Sequence, residues 1–440
     1  MMKQPLRLIA ALLAFCVAAA TFPPVGRALE EDGFRAGDTT LKDMVAAAAS
    51  GSTITLTGDT FVTEHADAEP WIIDKDIIIE GGNCRVSVTT TGILLGGNVT
   101  FRNVTLDFGN TDSRNAIIAN GYTLTLNNVK ASNLAINLFC GTLLRAKHET
   151  FSVPIPGTSN TVNIQGKTNL QGPNTNSLGS ANIFAGSLSM GGLSEAENGP
   201  ENDGLENTYP GNVTINIEDS AGSSALGTIY AGGGQQRIPI GAQSTKITAP
   251  NAEKYKVGGT VTINGKNMIP TVVGSGAGAA NVVYKGDSNA VTKTFQDISS
   301  LLVESGNLTL ANDSWFQNGA AVSLGANAKL NLSQFPDPVP NFHGGGGILI
   351  LGKSQTLSIN GQVSGTAKVA IGNTTSDNLG SFSVVTAGRT YISAPNSSPG
   401  NFQLLPYSFN PNMTLELDGS GNWVATQPTE AVSKVRSLRP

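Results

Sequence analysis

The sequence predicts an all-β fold: a right-handed parallel β-helix with coils of about 22–25 residues and a short N-terminal capping helix. Three observations predict it: recurring apolar-polar-apolar phrases, Gly or Asn at a fixed place after them, and an unusual composition. Charged residues make up 13% of the chain and glycine 52 of its 440 residues, against about 25% charged residues in ordinary domains. Turn formers and β-branched residues in place of charges favour many short strands.

Short phrases of alternating apolar and polar residues recur along the chain. Three of them end at Ile79, Phe101 and Leu126, which are separated by 22 and 25 residues. Val213 and Val261 begin two similar phrases 48 residues apart, which we interpret as two coils of about 24 residues. Because alternate side chains of a strand point to opposite faces, the apolar positions of stacked coils form one continuous core. The period therefore predicts a solenoid instead of two or three separate domains.

Glycine or asparagine stands at the same place after the first three phrases. Gly81, Asn103 and Asn128 each follow the last apolar strand residue by two positions. Gly and Asn enter the left-handed backbone region most readily, so they suit a sharp corner between two sheets. We predict a structural turn ladder at these three positions, with asparagine side chains hydrogen-bonded along the axis. The alternative is that asparagine is simply abundant in this chain.

A capping helix is predicted at the start of the solenoid. Thr40–Asp43 has the form of a capping box, Met44–Ala49 favours a helix, and Gly51 stands where a helix-terminating glycine belongs. One face would carry apolar residues that close the end of the solenoid: Leu41, Met44, Val45 and Ala48. The predicted divisions are 29–51 for this N-terminal segment, 52–424 for the β-helix with loop insertions, and 425–440 for a flexible C-terminal tail.

The N-terminus has the pattern of an export signal. Lys3 and Arg7 accompany the apolar run Leu8–Ala20, which is too short to span a membrane. We predict a signal peptide over residues 1–28, cleaved after Ala28, and therefore a secreted or cell-surface protein. No second apolar stretch of membrane length follows, so the chain is not expected to span a membrane. A net charge of −5 without a basic stripe argues against a nucleic-acid partner.

The region Thr40–Val129 resembles the start of right-handed parallel β-helices of the pectate-lyase superfamily. The phrases that carry the resemblance are the capping helix, Gly51–Leu56, Lys75–Gly81 and Val99–Val104. Later coils with an Ile-aromatic-Ala-Gly phrase resemble adhesin-like surface proteins of gut Gram-positive bacteria. The resemblance implies the fold and a surface location. It leaves the chemistry open, because the superfamily includes lyases, hydrolases and non-catalytic adhesins.

No catalytic residue is assigned from the sequence. The hydrolase branch of the superfamily uses clustered aspartates and a Gly-His-Gly, of which Asn110–Asp112 and His343 match only fragments. Glycoside hydrolysis needs a pair of carboxylates, and the sequence places no such pair on neighbouring predicted coils. The lyase branch uses calcium and a basic residue, but we interpret Asp74, Asp76 and Arg102 as structural strand residues. A lyase or glycoside hydrolase therefore stays the alternative function.

An acidic segment at residues 194–207 is the candidate metal site. It gathers five carboxylates in a chain otherwise poor in charge: Glu195, Glu197, Glu201, Asp203 and Glu206. Asp203–Gly204 favours a sharp turn that would bring oxygen ligands around a hard cation such as calcium. The alternative is a solvated acidic insertion without a metal. No other cofactor is predicted, because the three histidines are isolated from one another and from the cysteines, which does not fit a zinc site.

Two aromatic residues form the candidate ligand-binding surface. Phe184 and Tyr230 occupy the same place in two phrases 46 residues apart, which we interpret as two coils of about 23 residues. With Ile183 and Ile229 in the core, both rings would point outward and offer apolar faces to sugars. Polar residues just beyond the second ring complete the predicted site: Gln235, Gln236 and Arg237. The alternative is that the acidic segment covers the rings as a satellite core.

Cys84 and Cys140 are predicted to be buried and unpaired. Exported proteins usually form disulfides, but these two cysteines lie at least two predicted coils apart. Two strand spacings of ~4.8 Å exceed the reach of a disulfide, whose Cα atoms are less than ~7 Å apart.

These patterns together predict a secreted or cell-surface β-helix that binds a polysaccharide or cell-surface glycan without catalysis, as an adhesin does. The alternative is a polysaccharide lyase or glycoside hydrolase, and a purely structural stalk is a third class. Acidic residues from two or three adjacent coils that converge in one cleft would favour the enzyme.

Overall fold

The computed structural model describes residues 40–62, 70–89, 92–108, 116–133, 135–144, 154–173, 181–186, 188–190, 212–218, 227–230, 234–236, 247–248, 260–265, 271–273, 281–372, 385–405 and 412–427. The predicted signal peptide at 1–28 and the acidic segment at 194–207 lie outside these residues. Within the described part, no helix is long and apolar enough to cross a membrane.

The described chain forms one helix and a long succession of strands. The helix is α1, Leu41–Ala47. In chain order the strands are β1 Ser52–Thr55, β2 Thr60–Val62, β3 Trp71–Ile73, β4 Ile77–Glu80, β5 Arg85–Val88, β6 Ile93–Leu95, β7 Val99–Arg102, β8 Thr105–Asp107, β9 Ala116–Ile118, β10 Thr123–Asn127, β11 Lys130–Ala131, β12 Asn137–Phe139, β13 Leu143–Leu144, β14 Thr161–Gln165, β15 Ile183–Phe184, β16 Leu188–Met190, β17 Val213–Ile217, β18 Thr228–Tyr230, β19 Gly234–Gln236, β20 Ile247–Thr248, β21 Thr260–Gly265, β22 Thr271–Val273, β23 Asn281–Lys293, β24 Phe295–Gln296, β25 Ile298–Leu310, β26 Phe316–Asn331, β27 Asn341–Gly352, β28 Leu357–Ser358, β29 Val363–Gly372, β30 Thr390–Ser393, β31 Phe402–Leu404, β32 Thr414–Leu417 and β33 Asn422–Thr426.

Most of these strands belong to three sheets that wrap around one core. The long sheet has the order β1-β4-β7-β10-β14-β17-β21-β23-β25-β26-β27-β29-β31, the second sheet β2-β5-β8-β11, and the third sheet β3-β6-β9-β12-β15-β18-β22-β24. Neighbouring strands in these sheets pair in parallel. The all-β parallel β-helix predicted from the sequence is thus confirmed.

A single register position of the long sheet shows how the core forms. Ile54 pairs with Ile79, then with Phe101, Leu126 and Ile164 on successive strands. All five are buried in the main hydrophobic core, while the residues between them alternate to the outer face. Full burial of such a side chain stabilises the fold by about 1.5–3 kcal/mol, so stacking coil on coil is the main stabilising interaction.

The helix α1 closes one end of this core. The Thr40 side chain accepts a hydrogen bond from the Asp43 N–H at 3.1 Å, and the Asp43 carboxylate accepts one from the Thr40 N–H at 3.2 Å. This reciprocal pair is a capping box. Hydrogen bonds from the Thr40 side chain and backbone lower the pKa of Asp43. Leu41, Met44 and Val45 are buried in the main core, so the predicted capping helix is confirmed.

Coil length varies much more than the sequence predicts. Val213 pairs directly with Val261, and Ile183 pairs directly with Ile229. Each of these intervals is therefore one coil with a long insertion, and their interpretation as two coils is wrong. Strand stacking fixes only which residues pair in register. A longer connection between paired strands costs little free energy, because loop-closure entropy grows slowly with loop length.

The front corner of the long sheet contains the predicted turn residues. Asn103 and Asn128 have φ angles of 52° and 55°, and the Asn128 Nδ2 donates to the Asn103 Oδ1 at 2.9 Å. The Asn103 Nδ2 donates in turn to the Glu80 Oε1 at 2.8 Å. Gly81 is not in the left-handed region. Glycine is needed at this position because a Cβ would lie 2.6 Å from the Asn103 carbonyl oxygen. The ladder of side-chain hydrogen bonds therefore starts at Glu80 and not at Gly81.

In the rear coils, residues 281–372, the corresponding corners are irregularities inside long strands. β23, β25, β26, β27 and β29 are 10–16 residues long, and their pairing shifts register where the chain bends. Glycines occupy the bends, among them Gly306, Gly325 and Gly365. A Cβ on Gly365 would overlap the carbonyl oxygen of Gly344 on the adjacent coil. Backbone packs directly on backbone here, which only glycine allows.

The far end of the solenoid is closed by antiparallel strands that the sequence does not predict. β33 pairs antiparallel with β30 and β32. The Trp423 ring of β33 packs edge-on against Phe402 of β31, with centroids 5.1 Å apart. β33 ends at Thr426, so ordered structure extends two residues into the predicted tail at 425–440. Residues 428–440 lie outside the described part.

The two cysteines of the described chain are free, as predicted. Cys140 is buried, and burial raises the pKa of its thiol to about 12. Cys84 is half-buried, not buried as predicted, because it lies at the corner between the long and second sheets. Burial and the charge of Asp59 raise the pKa of Cys84.

Candidate functional site

The aromatic residues of the predicted ligand-binding surface lie on the outer side of the third sheet. Ile183 and Ile229 belong to the main core, whereas Phe184 and Tyr230 belong to a separate cluster. Because their coils are adjacent, the Phe184 and Tyr230 rings stack with centroids 4.9 Å apart and 11° between their planes. Phe139, on the preceding coil, stacks on Phe184 at 4.6 Å.

This stack continues an apolar column along the third sheet. Leu94 and Ile118 precede Phe139 in register, and all three are buried with Phe184 in one cluster. Phe184 is 1% exposed and has a ring on each side, so neither of its faces is open to a sugar. Phe184 is therefore part of a small separate core, while the acidic segment predicted to cover the rings lies outside the described residues. Tyr230 is half-buried at the end of the stack, and its contact with a sugar stays a prediction.

The other predicted site residues lie on another sheet or outside the described residues. Gln235 and Gln236 lie on β19, which pairs with β16 and β20 in a four-stranded sheet distinct from the third sheet. Arg237 and Asn110–Asp112 lie outside the described residues, as do the candidate calcium ligands Glu195, Glu197, Glu201, Asp203 and Glu206. Within the described part, no three His, Cys, Asp or Glu side chains lie close enough to hold a metal ion.

A polar groove on the outer face of the long sheet is the candidate functional site. Its volume is about 400 Å³, and it crosses the neighbouring strands β14, β17, β21 and β23. Amide and charged side chains dominate its lining: Asn163, Gln165, Asn216, Glu218, Asn264, Lys285 and Asp287.

Three asparagines form a row at one register position of this polar groove. Asn163 pairs with Asn216, and Asn216 pairs with Asn264. The Asn163 Nδ2 donates to the Thr125 Oγ1 at 3.0 Å, and the Asn216 Nδ2 donates to the Asn163 Oδ1 at 2.7 Å. The Asn264 Nδ2 donates to the Asn216 Oδ1. The Asn264 Oδ1 is buried and has no hydrogen-bond partner in the described part of the chain.

Some hydrogen-bond donors and acceptors of the asparagine row are not used within the row. An asparagine side chain carries two N–H donors and an oxygen with two lone pairs. The row uses one donor and one lone pair of Asn163 and of Asn216, which leaves one of each on both residues. Adjacent strands repeat this arrangement every ~4.8 Å. Such a row can hydrogen-bond the hydroxyls of a polymeric sugar.

Charged side chains lie beside the asparagine row. Glu218 is exposed and directly follows β17, and its Oε2 accepts a hydrogen bond from the Gly166 N–H at 3.2 Å. Asp287 lies on β23, with β21 between it and the strand of Glu218. The Lys285 Nζ lies 3.0 Å from the Glu304 Oε2 on β25. Two carboxylates and one ammonium therefore border the polar groove in the described residues.

The strand β23 forms its part of the groove floor with a glycine above a buried tyrosine. Tyr284 lies in the main core, and a Cβ on Gly286 would overlap its hydroxyl. That hydroxyl has no hydrogen-bond partner among the described residues. Burial, with a smaller effect of the Asp287 charge, raises the pKa of Tyr284 to about 12. The tyrosine below therefore dictates the glycine that lines the groove.

The sequence patterns do not predict the polar groove. Asn163, Asn216 and Asn264 are separated by 53 and 48 residues, and only the second interval is a multiple of the predicted coil of about 24 residues. The signal that could have found them is their shared place directly after an apolar strand residue: Val162, Ile215 or Ile263. Glu218 and Asp287 are 69 residues apart, and no local motif connects them.

A second groove lies at the closed end of the solenoid, between β31 and the antiparallel strands β32 and β33. It has a volume of about 540 Å³ and is lined mainly by apolar side chains, including Phe402, Leu404, Leu415 and Trp423. Gln403, Thr414 and Glu416 add polar side chains to its lining.

Comparison with known proteins adds no relative: no protein-family model, curated protein or solved structure matches this chain. The functional interpretation therefore depends on the geometry of the polar groove and on the sequence patterns.

Proposed function

We propose that this protein is a secreted or cell-surface, glycan-binding β-helix of the pectate-lyase superfamily, acting as an adhesin without catalysis. The observation that carries the proposal is the asparagine row in the polar groove. Three adjacent strands supply uncharged donors and acceptors at one register position. A polysaccharide or cell-surface glycan offers repeated hydroxyls of matching chemistry.

The order of the asparagine row supports binding. Asn163 and Asn216 are half-buried and already held by side-chain hydrogen bonds of 3.0 and 2.7 Å. Immobilising a free polar side chain on binding costs about 0.5–1.5 kcal/mol. Side chains that are fixed before the ligand arrives avoid most of this cost. Export is supported by the signal-peptide pattern of residues 1–28, which would bring the groove into contact with extracellular glycans.

The double substitution Asn216→Leu with Asn264→Leu tests the binding site. Leucine keeps the approximate size of asparagine and removes its donors and acceptors, so we expect at least an about tenfold loss of affinity. Binding would be measured on a glycan array and then by titration calorimetry with the best-bound oligosaccharide.

The matched control is Thr53→Leu with Thr100→Leu. Both threonines occupy the outer-face column that leads to Asn163, but on β1 and β7, outside the groove. This control should bind glycan as the wild type does. Unchanged affinity in the asparagine variant, at an unchanged melting temperature, would contradict a binding site in the polar groove.

The two carboxylates favour a glycoside hydrolase as the second candidate function. Glu218 and Asp287 border one groove from strands two positions apart, which places their backbones roughly 10 Å apart. Inverting hydrolases hold their two carboxyl groups ~6.5–9.5 Å apart, on opposite sides of the scissile bond. Acidic residues from nearby coils in one groove are the arrangement expected of an enzyme.

Release of new reducing ends from a bound glycan tests this second candidate. If the pair is catalytic, Glu218→Gln and Asp287→Asn should each lower the rate by about 100-fold or more and keep binding. Asp337→Asn, at an exposed site outside the groove, should keep the wild-type rate. A wild-type protein that binds glycan for hours and releases no reducing ends is a binding protein, not a hydrolase.

A further inference from the structure

Two straight columns of uncharged polar side chains run along the outer face of the long sheet at β14, β17 and β21. One column is the asparagine row. The other, the threonine column, stands two residues earlier on the same three strands and pairs in the same continuous register: Thr161, Thr214 and Thr262. All six side chains are half-buried on the outer face. Each column therefore repeats once per coil, at the strand spacing of ~4.8 Å.

The polar groove is elongated in the direction of these columns. Its lining comes from four neighbouring strands, which span roughly 14 Å along the solenoid axis. No strand contributes more than three consecutive residues, which span only ~6.6 Å along a strand. A ligand that fills the groove therefore lies along the axis and meets a new coil at every strand.

The threonine column ends at the first rear coil. Thr262 pairs with Val283, and Val283 pairs with Leu302. Apolar side chains thus continue the outer-face column where the polar ones stop. The uncharged polar surface beside the groove is therefore limited in length, and it suits a short stretch of a polymer.

A straight row of like sites fits a polymer whose residues also follow a straight line. In β-1,4-linked glucans, mannans and xylans the chain is extended, and its residue repeat is close to the spacing of the coils. Successive residues of such a chain present opposite ring edges. Asn163 and Asn216 each retain one donor and one acceptor lone pair, so either edge finds a partner. An α-1,4-linked glucan winds into a coil, and its residues leave a straight row.

From this geometry we infer that the ligand of the polar groove is an extended β-1,4-linked glycan that lies along the solenoid axis, with one sugar residue on each coil. This inference rests on the proposed glycan binding. It adds the chain geometry of the ligand and its direction on the protein.

The test is a length series of oligosaccharides. Cello-, manno- and xylo-oligosaccharides of one to six residues would be titrated into the full chain by calorimetry, beside malto-oligosaccharides of the same lengths. In the β-linked series that binds best, we expect each added residue to raise affinity about fivefold until the four strands of the groove are covered. Further residues should add little. The maltotetraose should bind at least about tenfold more weakly than the best β-linked tetrasaccharide.

Two single substitutions test the direction of the chain. A trisaccharide on four coils can avoid β14, but each of its two placements covers β17. Asn163→Leu on β14 should therefore leave trisaccharide binding unchanged and remove the gain from the fourth residue, whereas Asn216→Leu on β17 should weaken the trisaccharide about tenfold. Thr100→Leu, on β7 in the same outer-face column but outside the groove, is the control and should bind every length as the wild type does.

The outcomes separate the inference from the proposed function. Affinity that stops rising at the disaccharide, maltotetraose that binds as tightly as the β-linked tetrasaccharides, or equal effects of Asn163→Leu and Asn216→Leu on the trisaccharide would each overturn the inferred geometry while leaving glycan binding intact. Binding of another glycan on an array, with none of the β-linked series bound, would overturn it in the same way. A protein that binds no glycan at all would contradict the proposed function, and the inference would fall with it.

Discussion

The front coils, between residues 52 and 144, and the rear coils, 281–372, turn the same corner of the solenoid by different means. In the front coils, Asn103 and Asn128 take a left-handed conformation and join their side chains by a hydrogen bond of 2.9 Å. In the rear coils, glycines such as Gly365 let the backbones of successive coils touch where a side chain would stand. One corner depends on a side chain, and the other depends on the absence of one.

Coil length varies along the solenoid independently of the kind of corner. Asn103 stands in a coil of 25 residues, from Phe101 to Leu126. After Leu126 the next residues in register are Ile164 and Ile217, so the coils that follow Asn128 carry long insertions. In the rear coils, Val303 pairs with Leu324, only 21 positions later. The polar groove lies where the long coils meet the first short one. Core stacking therefore leaves loop length free at both kinds of corner, and the rear glycine corners differ by the direct contact between the backbones of successive coils.

The substitution Gly365→Ala in the rear corner should cause the largest loss of stability. The new Cβ would overlap the Gly344 carbonyl oxygen, and Gly365 has a φ of +67°. Overpacking typically costs about 1–3 kcal/mol, and the left-handed conformation adds about 1–2 kcal/mol for a residue other than glycine. We expect the free energy of unfolding to fall by about 3–4 kcal/mol, measured by urea denaturation.

Gly319→Ala is the matched control for this prediction. Gly319 also lies in a rear strand with a φ of +80°, but a Cβ there would have open space around it. The free energy of unfolding of this variant should therefore fall only by the cost of the left-handed conformation, about 1–2 kcal/mol. Equal losses in the two variants would show that direct contact between glycine corners contributes nothing to stability.

In the front coils, Asn128→Ala should have a smaller effect. Alanine removes two hydrogen bonds: the one from the Asn128 Nδ2 to Asn103, and the one that the Asn128 Oδ1 accepts from the Lys167 N–H at 2.7 Å. Alanine also adopts the φ of 55° at this position less readily than asparagine does. We expect a loss of about 2 kcal/mol in the free energy of unfolding. Asn128→Gly restores the conformational freedom without the ladder and should lose about 1 kcal/mol. If the glycine variant had the same free energy of unfolding as the wild type, the ladder would add no stability. The front corner would then depend only on the backbone conformation.

This contrast also marks how far the sequence predicts the fold. Asn103 and Asn128 follow their strands at a fixed offset, and the capping box at Thr40 is a local motif, so local chemistry predicts both. The glycine corners are not predicted, because they depend on contact between coils that no local pattern reports. The direct pairing of Val213 with Val261 is missed for a related reason. A period cannot distinguish two short coils from one coil with an insertion.

The candidate site is predicted less well than the fold. Phe184 is found by its repeated phrase, but the phrase does not reveal that Phe139 and Tyr230 would stack on both sides of it. The polar groove depends on residues from four strands whose spacing in the sequence is irregular. Register across insertions decides which outward residues become neighbours. Hydrophobic periodicity carries no information on that register.

Tyr284→Phe, in the first rear coil beneath the groove, sharpens the comparison with the smallest effect. The Tyr284 hydroxyl is buried without a hydrogen-bond partner in the described residues. Removing it should leave the free energy of unfolding unchanged or raise it by up to about 1 kcal/mol at pH 7. Tyr391→Phe is the control, because the buried Tyr391 hydroxyl accepts a hydrogen bond from the Thr386 N–H at 3.1 Å. That variant should lose about 1 kcal/mol.

The pH dependence of Tyr284→Phe identifies the hydroxyl as the cause. In the unfolded chain a tyrosine titrates near pH ~10, whereas burial raises the pKa of Tyr284 to about 12 in the folded protein. The neutral form therefore stabilises the fold below pH ~10, and this contribution is lost as the pH rises toward 12. Phenylalanine has no such proton. The free energy of unfolding of the variant should therefore rise, relative to that of the wild type, by roughly 1.4 kcal/mol per pH unit in this window. A constant difference between the two proteins from pH 8 to 11.5 would mean that the hydroxyl reaches solvent or a partner, and that the floor of the polar groove is open at Gly286.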